Sequence, residues 1–201
     1  MKFYPQRFSK AEKLELTQEI LTAARKSNFV FDLGANVGFV TKKLLEAGCY
    51  VYAFEPDPEA FKELEKINSP RLSVRNVAVW TNKGKTKLYR HRDWKISKSH
   101  TSSSLISDKK NVDDENSIIV NTIDISDLVI DLQGTKLMKM DVEGAEYTIL
   151  NYWSRSRLIN QFSTIYCEFH GRKIKWGQIK HFLLFVRLIV RGQNHIVKEW
   201  Y

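Results

Sequence analysis

A chain of 201 residues is long enough for one α/β domain with a single core and too short for two comfortable ones. Hydrophobic residues make up 43% of it and aromatic residues 12%, and no apolar run reaches the roughly 18 residues of a membrane span, which excludes a helical membrane protein. The net charge of +9 is unevenly placed: residues 82–110 carry nine Lys or Arg against two acids, and residues 171–201 carry seven against one. Such blocks suit an anionic partner (nucleic acid, an anionic membrane surface or a phosphorylated small molecule) or else form a solvated face with no partner.

The charged N-terminus, MKFYPQRFSKAEKLEL, has no continuous apolar segment of a secretory signal. Cys49 and Cys167 lie in apolar or strand-like stretches and read as buried thiols, so a reducing, cytoplasmic setting without a disulfide is expected. Ser9 and Glu12 have capping-box spacing ahead of Leu14, Leu16, Ile20, Leu21 and Ala24, which predicts a helix from residue 9 to about 26.

Residues 29–48, FVFDLGANVGFVTKKLLEAG, read as a buried strand, a small-residue turn and a helix closed by Gly48. Gly34, Ala35, Asn36 and Gly38 let a ligand approach the main chain, and the helix start offers N–H groups to an anionic group. A dinucleotide site would read GxGxxG, whereas this turn reads DxGxNxG with Asp32 at the strand tip. The next strand, YVYAFEP at residues 50–56, ends in Glu55, a carboxylate able to take both hydroxyls of a ribose. S-adenosylmethionine suits the pair: its carboxylate can meet the turn amides, its cationic groups prefer acids, and its ribose needs Glu55. Plain α/β architecture is the alternative reading of the turn alone.

Asp57 before Pro58 predicts a helix start, with the helix running to about residue 68. Residues 72–80, LSVRNVAVW, form a third predicted strand, where Asn76 and Val77 fall beside an adenine position, or where Asn76 satisfies backbone at a strand edge. A turn at 82–84 and a short strand at 85–90 suggest a hairpin added to the sheet. Residues 91–115 read as a long loop on the acceptor side, with Trp94 as a stacking surface and His91 and His100 as proton carriers, or all three simply solvated.

A β-rich run at 117–123 precedes a short helix at 124–132 with Ser126 as its cap, then a fourth core strand at 135–140. That strand ends in DVEGAE, residues 141–146. Glu143 and Glu146 suit a helix start, whereas Asp141, at the tip, has no such explanation. A fifth strand at 163–169 puts Glu168 and His170 on one side, near Asp141. A helix at 174–191 follows, and residues 195–201 leave room for at most one more strand. The alternation predicts an α/β fold: a doubly wound, mostly parallel sheet with helices on both faces and Asp32, Glu55, Asp141 and His170 converging at the strand C-termini.

The pieces VFDLGANVG, VYAFEPDPEAF, NVAV, TID (122–124), KMDVEGAE and EFH, in this order over roughly residues 30–171, resemble the FkbM-type family of S-adenosylmethionine-dependent methyltransferases. The resemblance implies the Rossmann-like class I methyltransferase fold, with seven strands in the order 3-2-1-4-5-7-6, and O-methylation of a hydroxyl on a sugar, glycan or secondary metabolite. By motif match Asp32, Gly34, Asn36, Gly38 and Glu55 would contact the cofactor, and Ala35, Asn76, Val77 and Asp141 complete the expected set. The C-terminus departs from the pattern, so the sheet either stops at six strands or is completed by another chain.

A hydroxyl acceptor must lose a proton, and His170 is the candidate base, with Asp141 or Glu143 orienting it or the acceptor. A hydrogen-bonded structural histidine is the alternative. Asp141, Glu143, Glu168 and His170 could instead hold a divalent metal that gathers and acidifies the hydroxyl. The expected partner is a small-molecule or glycan acceptor, neutral or anionic. The basic blocks and Trp94 keep open a ribose methyltransferase of RNA, and a non-catalytic module holding a polyanion is the rival of another class.

Overall fold

The computed structural model describes residues 10–93 and 103–200. Six strands pair in parallel: β1 (Phe29–Leu33), β2 (Tyr50–Phe54), β3 (Leu72–Arg75), β7 (Lys136–Met140), β8 (Thr164–Cys167) and β9 (Val197–Glu199). Their spatial order is β3-β2-β1-β7-β8-β9. Between β3 and β7 the chain makes a separate sheet of β4 (Ala78–Trp80), β5 (Gly84–His91) and β6 (Val112–Asp124), in the order β4-β6-β5.

Period-two alternation sorts the central strands between two cores. Val30, Val51, Ala53, Leu137 and Tyr166 face one side, against α1 (Lys10–Ala24), α2 (Phe39–Glu46) and α3 (Pro58–Leu64). Phe31, Leu33, Met138, Met140 and Ile165 face the other, against α4 (Ser126–Ile130), α5 (Glu146–Ser156) and α6 (Gly177–Val190). Coverage of both faces explains why these strands are near-continuous apolar runs. Phe31 sits at the centre, stacked on Tyr52 at 5.2 Å and meeting Phe162 edge-on at 5.6 Å. Its removal to alanine would cost about 3–5 kcal/mol.

Several local expectations change. The run 72–80 is two strands in two sheets, because the chain breaks pairing at Asn76, whose Nδ2 donates to the carbonyls of Glu55 at 2.8 Å and Pro56 at 3.2 Å. The hairpin strand β5 joins β6 rather than the main sheet. β6 is thirteen residues long and begins at Val112, inside the segment expected to be loop, since pairing with β5 extends to His91. α3 stops at Leu64 rather than near residue 68. At α4 the N-cap position is Ile125 rather than Ser126, and Asp124 Oδ1, one residue before it, accepts from the Ser126 amide at 3.0 Å. The capping box expected at Ser9, the stacking residue Trp94 and the proton carrier His100 lie outside the described residues.

The connection from β3 returns to the far side of β1, at β7. The strand order therefore reverses between β1 and β7, which opens a crevice at their C-terminal ends. At the other edge β9 runs parallel to β8, so one strand stands where the resemblance implies an antiparallel pair. Strand order, parallel pairing and two helical layers make this a Rossmann-like class I α/β fold with its C-terminal edge shortened. Among the described residues no helix is long and apolar enough to cross a membrane.

Candidate active site

The turn after β1 holds Gly34, Asn36 and Gly38 at positive φ of 71°, 52° and 86°. A Cβ on Gly34 would overlap the carbonyl oxygen of Asp141, so this glycine is required by the approach of the turn to the tip of β7. A Cβ on Gly38 would press on Ile67 and Leu64. The turn amides are spoken for within the protein: Gly34 and Ala35 donate to the Phe54 carbonyl at 3.0 Å each, Gly38 to the Ala35 carbonyl at 2.9 Å, and Val37 to Asn36 Oδ1 at 2.7 Å. The expectation that these amides receive a ligand carboxylate is therefore corrected. They fold the turn instead.

The fifth amide, of Asn36, donates to Glu55 Oε2 at 2.8 Å, and Glu55 Oε1 accepts from the Asp57 amide at 2.8 Å. Glu55 is thereby fixed, one oxygen to each neighbour, with a lone pair left on each. Its side chain lines the cavity while only 7% of the residue is exposed. Burial pushes its carboxyl up to about 7, against the two backbone donors.

Asp32 has another role than a wall residue. It is fully buried behind the turn, takes a hydrogen bond from Thr41 Oγ1 at 2.6 Å, and faces Lys139 Nζ at 3.1 Å. Lys139 also donates to the Gly34 carbonyl at 2.9 Å. Burial works against the Lys139 ammonium, but Asp32 and Asp141 outweigh it and hold its pKa above the ordinary lysine value.

The cavity occupies about 750 Å³, part of it open to solvent. Leu33, Gly34, Asn36, Phe54 and Glu55 form one wall, Val77, Ala78, Val79, Leu88 and Leu105 face them, and Asp141 and Glu143 close the far end. Arg90 fixes the opposing wall: its Nε and one terminal nitrogen meet the two oxygens of Asp57, each at 2.9 Å, which ties β5 to the start of α3. Of the sequence-predicted cofactor residues, Gly34, Asn36, Glu55, Val77 and Asp141 line the cavity, whereas Asp32, Ala35, Gly38 and Asn76 do not.

At the far end four acids surround one imidazole. His170 Nε2 is 3.2 Å from Glu143 Oε2, 3.5 Å from Glu168 Oε1 and 3.8 Å from Asp141 Oδ1, and Nδ1 is 3.6 Å from Glu146 Oε1. Glu146, the first residue of α5, is fully buried and holds the loops together: Oε1 accepts the His170 amide and Oε2 the Gly144 amide, both at 2.7 Å. Lys109 Nζ donates to Glu143 Oε2 at 2.6 Å.

Burial works against charge on His170, but Glu146, Glu143 and Asp141 prevail and raise it to about 9. An imidazole protonated at neutral pH cannot take a proton, and His170 does not line the cavity. Its expected role as general base is corrected on both grounds. Burial raises Asp141 above the usual carboxylate range, partly offset by Lys139 and His170. Glu143 also loses by burial, but His170, Lys109 and Lys173 bring it down to about 2.

Sequence reasoning missed Lys139 and Lys109. Lys139 had a signal, a cation between Met138 and Met140 in the buried strand KLMKM, where it pairs in register with Asp32. Lys109 had none, since it stands in a basic block read either as a surface for an anionic partner or as a solvated face; here it pairs with the half-buried Glu143, as Arg90 does with the buried Asp57.

What the cavity can hold follows from its walls. Glu55 lies on one wall, Asp141 and Glu143 close the far end, the remainder is largely apolar, and among the described residues no Lys or Arg lines it. The five turn amides from Gly34 to Gly38 are bonded within the protein, and the carboxylates of Glu55, Asp141 and Glu143 suit a ligand that brings hydroxyl donors and a cation rather than a pyrophosphate. S-adenosylmethionine has that pattern.

No curated protein matches the sequence. Among solved structures, one from Listeria monocytogenes, provisionally described as an S-adenosylmethionine-dependent methyltransferase, matches at 18% identity with a TM-score of 0.27, over 32% of this chain and 33% of that one. The matched part thus spans about a third of that structure. The methyltransferase FkbM domain matches residues 32–195, from the buried aspartate of β1 to the approach to β9. The chain belongs to the FkbM methyltransferase family.

Proposed function

We propose that the protein transfers a methyl group from S-adenosylmethionine to a hydroxyl oxygen of a neutral sugar, glycan or other small polyol. The observation that supports this most is the cavity itself, lined by the acids Glu55, Asp141 and Glu143 and by apolar side chains, with no basic side chain among its described lining residues. Bound S-adenosylmethionine supplies an electrophilic methyl on a positively charged sulfur. Glu55, held by the Asn36 and Asp57 amides, offers one free lone pair per oxygen to the two ribose hydroxyls. Val77, Ala78 and Leu88 face the adenine. Asp141 and Glu143 stand where the cationic end and the acceptor meet.

Holding the acceptor oxygen in line with the methyl is the main catalytic task, and such positioning supplies ~7 to 11 kcal/mol. Asp141 receives the hydroxyl proton as the oxygen takes the methyl group; its burial-raised pKa suits that role better than the low pKa of Glu143. The acid-lined end favours a neutral acceptor over an anionic one.

The test is S-adenosylhomocysteine release measured across neutral sugars, nucleotide sugars and short RNAs. Turnover on neutral hydroxyl compounds supports the proposal. Turnover confined to RNA, with a steep salt dependence, would replace it with the nucleic-acid reading. Cofactor binding without turnover on any acceptor would favour the non-catalytic module.

A further inference from the structure

We infer that Asp141, Glu168 and His170 form a binding site for one divalent cation at the acceptor end of the cavity. For its use this rests on the methyl-transfer reading; for its existence it rests on the geometry alone. One oxygen of each carboxylate and one imidazole nitrogen lie within 4.8 Å of one another. His170 Nε2 is 3.5 Å from the Glu168 oxygen and 3.8 Å from the Asp141 oxygen. Ligands at metal distances of ~2.0–2.3 Å on neighbouring octahedral positions stand roughly 3 Å apart, so closure onto one ion needs side-chain shifts of under an ångström.

A second observation is independent of that clustering. His170 is only 3% exposed, yet neither ring nitrogen makes a hydrogen bond, and Asp141 Oδ1, also buried, makes none. An imidazole enclosed by acceptors but misaligned with all of them, with Nε2 aimed into the space they share, calls for an occupant of that space. The backbone holds this aim: the His170 amide is fixed by Glu146 at 2.7 Å, and the Glu168 amide by the Met140 carbonyl at 2.9 Å.

Charge agrees. Asp32, Asp141, Glu143, Glu146 and Glu168 are set against the ammonium groups of Lys109, Lys139 and Lys173. An ion bound there displaces the proton that the surrounding acids hold on His170 and takes its place among them. Lys109 and Lys173 engage Glu143, which leaves Asp141 and Glu168 as the carboxylates for the ion. Two carboxylates with one imidazole suit Mn²⁺, Mg²⁺ or Zn²⁺ better than Cu⁺ or Ca²⁺. Three protein donors leave coordination positions open, and because Asp141 lines the cavity these face the acceptor. An ion there lowers the pKa of a bound hydroxyl and takes over from Asp141 the task of easing its deprotonation.

The experiment is a Mn²⁺ titration of the whole, chelator-treated protein followed by electron paramagnetic resonance, with S-adenosylmethionine binding measured separately by calorimetry. The result expected is one site per chain, weakened at least tenfold in Glu168→Gln while cofactor binding is kept. Thermal melting with and without Mn²⁺ reports the same site if His170→Ala, used as a second variant, fails to fold. Absence of saturable Mn²⁺ and Zn²⁺ binding up to millimolar metal, or affinity unchanged by Glu168→Gln, would overturn the site. Loss of cofactor heat with metal binding intact would instead count against the methyl-transfer reading, so the two failures are distinguishable.

Discussion

Lys139 Nζ lies 3.1 Å from Asp32 Oδ1, and both side chains are all but withdrawn from solvent, at 3% and 0% exposure. The pair follows from register: parallel pairing of β1 with β7 sets Asp32 directly opposite Lys139. It fixes the turn from beneath, because the same ammonium donates to the Gly34 carbonyl. Removing one partner strands the other as a buried charge. Lys139→Met is expected to destabilise the fold by about 3–5 kcal/mol, and Asp32→Asn comparably. The double variant should cost less than the sum, which urea denaturation of all three will show.

Arg90 and Asp57 make a two-pronged contact joining the small sheet to the large one, with Asp57 fully buried and Arg90 only 11% exposed. Asp57 also caps α3 by accepting the Glu59 amide at 2.9 Å. Arg90→Ala should lower stability by about 3–5 kcal/mol and loosen the wall carrying Leu88. Arg90→Lys should recover only part of this, since an ammonium cannot engage both oxygens in the same plane. Denaturant melts and hydrogen exchange across residues 84–91 are the measurements.

Glu55 gives a pH dependence with a definite sign. Its folded-state pKa, near 7, exceeds that of an exposed glutamate, so the stability this group contributes is fully present below about 4.5 and lost as pH rises through 7. Ribose hydroxyls donate to the ionised form, so cofactor binding is favoured where Glu55 is deprotonated. The rise in melting temperature on adding S-adenosylmethionine should be larger at pH 8 than at pH 6. Glu55→Gln should flatten that difference.

Val77 lines the cavity and is only half-buried, packed against the edge of the core. Val77→Trp should fill the adenine side, weakening cofactor binding by more than tenfold with little change in melting temperature. An equal loss of folding stability would show that Val77 is a packing residue rather than a wall.

The main sheet was legible because each strand of residues 29–33, 50–54, 136–140 and 164–167 is an apolar run ended by a small residue or an acid, and helices separate them. The second sheet was legible only in part: residues 85–90 and 117–123 read as strands, but β6 starts with the polar residues DDEN after Val112 and owes that part of its strand state to pairing with β5. Residues 72–80 looked continuous because nothing in the local pattern reveals that the Asn76 side chain will serve the Glu55 and Pro56 carbonyls. At the site, Glu55 and Asp141, expected at strand tips, line the cavity. Asp32 does not line it; its carboxylate faces Lys139, directly opposite on the neighbouring strand, and the strand-tip pattern does not reveal that four acids gather around His170.

Calorimetric titration of the protein and of Glu55→Ala with S-adenosylmethionine at pH 8 addresses the central claim, that the acid-flanked cavity above β1 and β2 receives this cofactor. The account predicts one saturable site per chain, weakened at least tenfold in the variant while its melting temperature stays close to that of the parent. No binding heat in the parent, or equal affinity in the two proteins, would contradict it.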